Sequence, residues 1–242
     1  MYLFANWKMY LNAAESENLA RALSVLPIPA GVDLAVFPNA LAYRAVSDIL
    51  ASSRVELGAQ NVAWTPQGAY TGATSALMFK EAGATYALVG HSERRHIFGE
   101  NDDVVRKKIE ACSRDGITSV LCVGETNEDR QNDKRQYRLK KQLMVALEGL
   151  KFTENNLIIA YEPVWAIGTG EPCLPTDVED VAGWIRLELA SYGPSNVSVL
   201  YGGSVNSENI SSFVSLPSVG GVLVGSAGTG IAGLKSMLDA IR

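Results

Sequence analysis

Histidine and cysteine are scarce here: 2 and 3 among 242 residues. The cysteines, Cys112, Cys122 and Cys173, are odd in number and form no Cys-x-x-Cys pair, which argues against a disulfide framework and for a reducing, cytoplasmic setting. A metal site is disfavoured as well, because His91 and His96 are five positions apart and no cysteine or acid cluster supplies a familiar ligand spacing. Neither a Gly-x-x-x-x-Gly-Lys-Ser/Thr loop nor a Gly-x-Gly-x-x-Gly opening a helix is present, which removes the common nucleotide readings. No apolar stretch reaches the ~20 residues that span a bilayer, and no basic segment followed by an apolar one opens the chain, so neither a membrane partner nor a leader is expected. A formal charge of -5, with the charges scattered rather than blocked, leaves no basic face for nucleic acid or anionic lipid. A small anionic substrate stays compatible, since a few local donors outweigh the global sign.

What the chain has is apolar residue, 47% of it, and enough length for one large core. A single domain over residues 1–242 is expected. Short apolar runs alternate with longer amphipathic segments about every thirty residues, giving eight candidate strands: 3–7, 34–37, 55–59, 86–89, 119–123, 157–161, 197–201 and 222–224. The clearest helical patterns lie at 15–26, 103–113, 129–150, 176–192 and 207–214, and Gly228, Gly230 and Gly233 weaken any helix before about Leu234. Strict alternation implies parallel strands joined by crossovers, and eight such units favour a closed α/β barrel, (β/α)8, over an open sheet. In that architecture functional groups gather where strands end and loops leave toward the helices.

Those ends carry chemistry. The first strand is followed by Asn6-Trp7-Lys8, the fourth by Gly90 to Arg95 with His91 inside, and the sixth by Glu162. Tyr201-Gly202-Gly203-Ser204 and Val224-Gly225-Ser226 close the last two, where glycines let backbone N–H groups approach an anion and a following helix start adds positive partial charge. Behind Glu162, Pro163 stops the strand and Gly168 and Gly170 give hinge freedom, the makeup of a base that hands over to a mobile lid.

Asn6-Trp7-Lys8, Gly58 to Asn61, Gly68 to Gly72, Gly90 to Arg95, Cys122 to Thr126, Tyr161 to Gly170 and Tyr201 to Val205 together resemble the triosephosphate isomerase family, and the likeness covers nearly the whole length. The resemblance implies a (β/α)8 barrel that interconverts dihydroxyacetone phosphate and D-glyceraldehyde 3-phosphate through an enediol or enediolate, with no metal or organic cofactor. Glu162 would be the base, His91 a neutral donor to the substrate oxygens, Lys8 the cation offsetting phosphate and enediolate charge, and Asn6 a positioning group. The backbone of Gly168, Ser204, Gly225 and Ser226 would hold the phosphate, with Leu223 walling the pocket. Tyr201, Gly202, Gly203, Glu93 and Glu125 would support these groups.

The lid would run from a first hinge, Pro163-Val164-Trp165, through a tip at Ala166, Ile167, Gly168 and Thr169. Closed, it would shield an intermediate that otherwise expels phosphate, with Ile167 pressing on Glu162 and Trp165 resting against Glu125 or Tyr161. The long aperiodic segment 61–74 would insert into a second copy and make a homodimer, Thr71 approaching Glu93 across the interface. Three positions depart from the family pattern: Ala73 stands where glutamate is common, Ser226 replaces a glycine, and the second hinge reads Glu171-Pro172-Cys173. Two other readings compete with the isomerase. A phosphate-binding barrel aldolase needs a Schiff-base lysine or a metal, and only Lys8 sits at a strand end. A non-catalytic phosphate binder or scaffold would be expected to lose Glu162, His91 or Lys8, and all three are present.

Overall fold

The computed structural model describes residues 1–167, 172–193 and 196–241. Its elements run β1 (Tyr2–Asn6), α1 (Ala13–Ser24), β2 (Asp33–Phe37), α2 (Tyr43–Leu50), β3 (Glu56–Ala59), α3 (Ala76–Glu81), β4 (Tyr86–Val89), α4 (Ser92–His96), α5 (Asp102–Asp115), β5 (Thr118–Val123), α6 (Asn127–Gln131), α7 (Arg135–Leu147), β6 (Leu157–Tyr161), α8 (Pro175–Leu189), β7 (Val199–Tyr201), α9 (Ile210–Val214), β8 (Gly221–Val224) and α10 (Ile231–Ala240). Every strand pairs in parallel with its sequence neighbour, and β1 pairs with β8 to close the ring. At that seam Gly221 has φ 153°, and a Cβ there would lie 2.1 Å from the Tyr2 carbonyl oxygen, so only glycine lets the two strands meet.

Strand periodicity sorts the apolar residues into two layers. Phe4, Ala35, Leu88, Val120, Cys122, Ile158, Ala160, Leu200 and Leu223 pack with one another inside the barrel. Leu3, Ala5, Val36, Leu121, Ile159 and Tyr161 belong to the outer layer that meets the helices. Successive side chains point to opposite faces, so the inward parity of Ile158 and Ala160 carries on to Glu162, and that of Phe4 to Asn6. This is why a carboxylate and an amide emerge at the mouth of an otherwise apolar interior.

Several boundaries differ from those the sequence suggested. The pattern over 129–150 is two helices, not one: Thr126 and Asp129 form a capping box that starts α6 early, and Asp133 at φ 54° breaks the run before α7. The last helix begins at Ile231 rather than near Leu234. A Cβ at Gly233 would fall 2.4 Å from the Ala227 carbonyl oxygen, so that glycine admits a close backbone approach instead of ending a helix. α2 and α3, which eight strand-helix units require but whose bounds are not among the clearest patterns, are short and owe their place to a buried face, Tyr43, Val46 and Leu50 in one, Ala76 and Phe79 in the other. Segment 61–74 holds neither helix nor strand, but Ala63 bridges Ser75 and the Trp64 and Tyr70 rings meet edge-on at 6.2 Å, giving the loop a folded arm. Among the described residues no helix is long and apolar enough to cross a membrane.

Candidate active site

A cavity of about 350 Å³ opens at the carboxyl ends of the strands. Asn6, Lys8, His91, Glu162, Ile167, Gly202, Gly203, Ser204, Leu223, Gly225 and Ser226 all line it, so side chains from β1, β4, β6, β7 and β8 and their following loops share one space. Gly168 and Thr169, expected in the phosphate loop and lid tip, the hinge glycine Gly170, and Glu171 of the second hinge lie outside the described residues.

Glu162 is 2% exposed, and its Oε2 accepts a hydrogen bond from the Ser92 N–H at 2.9 Å. Its other oxygen, Oε1, stands 3.4 Å from His91 Nε2. The imidazole is also buried, and the Glu93 N–H donates to its Nδ1 at 3.2 Å as the cap of α4. A ring nitrogen that accepts a hydrogen bond carries no proton, so the neutral ring bears its N–H on Nε2, facing the cavity. The Glu93 carboxylate lies 3.8 Å from Nδ1 and takes Lys8 Nζ at 2.7 Å, so it joins the two side chains. Beside Glu162, Cys122 stays a thiol: burial first, then the neighbouring Glu162 carboxylate, push it well above the ordinary range.

Lys8 adopts φ 48°, a left-handed conformation unusual for any residue but glycine. Three bonds hold it. The Asn6 side chain accepts from its N–H at 3.0 Å, Gln60 Nε2 donates to its carbonyl at 2.8 Å, and Glu93 takes its ammonium. Gln60 also reaches the Phe37 carbonyl at 2.8 Å, tying the first loop to β2. Its role could not be found from spacing, since 52 positions separate it from Lys8 and a side-chain bond to a carbonyl leaves no pattern in sequence.

The glycine loops divide their work. A Cβ on Gly202 would come 2.9 Å from Glu162 Cγ, and one on Gly203 would come 2.2 Å from the Tyr201 hydroxyl oxygen. Gly202 therefore makes room for the carboxylate as well as bordering the cavity. At Gly225 a Cβ would sit 3.3 Å from Lys8 Cε, so the lysine stem runs directly against that loop. Ser204 spends its hydroxyl on the Ala166 carbonyl at 2.7 Å, linking β7's loop to the residues after Glu162.

Those residues, Val164–Ala166, form a single 3-10 turn anchored by Trp165. The indole N–H donates to Glu125 Oε1 at 2.9 Å, the same oxygen that takes the Tyr161 hydroxyl at 3.1 Å, and the Arg130 guanidinium lies 4.0 Å above the indole ring. Glu125 is fully buried, with Arg135 Nε 3.4 Å from that oxygen. Downstream, the Cys173 N–H donates to the Tyr201 hydroxyl at 3.0 Å, and burial raises the Cys173 thiol to about 11. Both flanks of the segment are thus hydrogen-bonded to the barrel. Thr71 stands apart from the cavity, exposed on the folded arm.

A cavity that combines a buried carboxylate, an imidazole N–H, an ammonium and two glycine loops suits proton transfer on a small phosphorylated substrate. Comparison with known proteins gives the family. The triosephosphate isomerase family model matches residues 1–241. A triosephosphate isomerase of Symbiobacterium thermophilum is 42% identical over 229 residues, covering 92% of this chain and 90% of that one. The one from Nostoc sp. is 43% identical over 226 residues, with 92% and 91% covered, and the one from Thermodesulfovibrio yellowstonii is 41% identical over 232, with 93% of each covered. With its fold, its cavity and its full-length relatives in agreement, this chain belongs to the triosephosphate isomerase family.

Proposed function

We propose that this chain, an isomerase of triose phosphates, carries a proton between adjacent substrate carbons on the carboxylate of Glu162. The substrate's phosphate would sit at the backbone of Ser204, Gly225 and Ser226 beside Lys8, which places the reacting carbons between Glu162 and His91. Glu162 removes a proton from the carbon next to the carbonyl, while His91 Nε2–H donates to the carbonyl oxygen, so charge forms where a donor already waits. Glu162 then gives its proton to the neighbouring carbon while the hydroxyl on the first carbon becomes the new carbonyl and returns a proton to His91 Nε2, which restores both groups. Lys8, a compact point charge, offsets both phosphate and enediolate, with Asn6 fixing its backbone. Leu223 and Ile167 keep water from the carboxylate, and the segment 163–169 closes over it.

The observation that carries this reading is the 3.4 Å approach of His91 Nε2 to Glu162 Oε1 with Nδ1 already occupied, which leaves one donor and one base facing one cavity. Its test is a coupled assay of the purified chain on D-glyceraldehyde 3-phosphate, with and without chelator. Turnover indifferent to chelator and abolished in Glu162→Gln, with inorganic phosphate still bound, is the expected result; turnover that survives Glu162→Gln rejects the assignment.

A cytoplasmic homodimer of single-domain subunits completes the proposal. The dimer is supported by the folded arm at 61–74 and by exposed apolar side chains, Met9 at 95%, Leu41 at 96%, Ile97 at 72% and Phe98 at 67%, which burial against a second copy would remove from water. Thr71 would then approach the partner's Glu93, the residue that holds Lys8. Light scattering across a dilution series tests it: a monomer at micromolar concentration would reject the dimer.

A further inference from the structure

Two serines line the cavity, and their hydroxyls are in different states. Ser204 gives its proton to the Ala166 carbonyl at 2.7 Å, so it has none to offer a ligand. Ser226 is exposed, and among the described residues its hydroxyl makes no hydrogen bond. Its backbone, by contrast, is fixed: the carbonyl accepts both the N–H of Thr229 at 3.1 Å and its hydroxyl at 2.7 Å. A fixed backbone with an uncommitted hydroxyl presents a donor that only a side-chain rotation has to aim.

Its neighbour supplies the charge. A Cβ on Gly225 would lie 3.5 Å from Lys8 Nζ, so the ammonium lies alongside the residue that precedes Ser226, and both border the same space. We propose that the Ser226 hydroxyl donates a hydrogen bond to the substrate's phosphate next to the Lys8 ammonium, adding a side-chain ligand to the backbone N–H groups of that loop. The inference rests on the site reading given above and goes beyond it, since that reading uses only the backbone of Ser226. A hydroxyl bonded to an ionised phosphate oxygen is a charge-assisted donor, stronger than a neutral one. In a partly open site its loss should weaken binding by about three- to tenfold.

The competing reading is that the side chain only crowds the phosphate. Ser226→Ala, Ser226→Gly and Ser226→Thr separate the two, with the inhibition constant of inorganic phosphate and the KM for D-glyceraldehyde 3-phosphate as readouts. A donor predicts that Ala and Gly lose about three- to tenfold on both and that Thr, which keeps the hydroxyl, stays within about twofold. Crowding predicts tighter binding in Gly and weaker in Thr, and that result, or an Ala variant equal to the unmodified protein, overturns the inference. Should the Ala variant fail to fold, Ser226→Cys, similar in shape and a weak donor, takes its place with the same expectation. If inorganic phosphate does not compete in the unmodified protein, the site reading itself has failed; if it competes and the variants leave its inhibition constant unmoved, only the role of the Ser226 hydroxyl has.

Discussion

His91 Nε2 stands 3.4 Å from Glu162 Oε1, which brings the proposed donor and the proposed base into direct contact. A substrate has to enter between them and exchange their mutual contact for contacts with its own carbon and oxygen. Replacing His91 with Gln keeps a side-chain N–H but loses the ring that the Glu93 N–H holds from behind. Turnover should fall by ~10²–10⁴-fold, the usual contribution of a positioned proton donor, while competition by inorganic phosphate changes little. A loss confined to phosphate affinity would place His91 in binding instead.

Gly202→Ala should act on chemistry more than on folding. The added Cβ would meet Glu162 Cγ at 2.9 Å, closer than such atoms approach, and the carboxylate must shift. Turnover is expected to drop by at least tenfold with the urea midpoint nearly unchanged, because a misplaced base costs rate before it costs stability. A variant that unfolds early but turns over normally when folded would contradict this.

Trp165→Phe removes the indole N–H from Glu125 and leaves that buried oxygen with Tyr161 and Arg135. With the first hinge less firmly seated, the intermediate should spend longer unshielded and lose phosphate more often. The ratio of methylglyoxal to isomerised product should rise. Double substitution of Ile167 and Gly168 should raise it further; leakage that stays constant while turnover collapses would mean that the segment does not guard the intermediate.

Glu100 makes a prediction about acid. Burial alone would raise its carboxyl, but the Lys108 ammonium and the Arg94 guanidinium both reach it and hold it below the ordinary carboxylate range. A carboxyl depressed on folding adds stability above its unfolded value, about 4.3, and that stability is lost as pH falls through the folded value. Glu100→Gln should therefore be clearly less stable at pH 7, and the gap should narrow below about pH 4 as the unmodified carboxyl takes up its proton. Urea midpoints measured from pH 7 to pH 3 check this, and a gap independent of pH would refute it.

Much of this site was legible because alternating strand and helix patterns mark where each strand ends, and Asn6, Lys8, His91 and Glu162 stand at those ends and line one cavity. Strand parity, seen once Ile158 and Ala160 are placed inside the barrel, adds why Glu162 faces inward. The supporting groups were harder to read. Gln60 and Arg130 reach their partners through contacts fixed only when distant segments meet, and neither sits at a telling interval. Gly202 looked like an anion-loop glycine, although its missing Cβ also serves Glu162. The break at Asp133 was hidden because charged residues on both sides continue a helical pattern that one left-handed residue interrupts.

The left-handed backbone of Lys8 sets stability against activity. A non-glycine residue held in that region stores on the order of 1 kcal/mol, and here Asn6, Gln60 and Glu93 keep it from relaxing. The fold would be more comfortable with glycine at this position, and selection for heat resistance alone would drift that way. Glycine would release that strain but would also remove the ammonium that Glu93 holds at 2.7 Å, so on the function proposed above lysine marks a place where a strained backbone is kept in order to deliver a charge to the cavity.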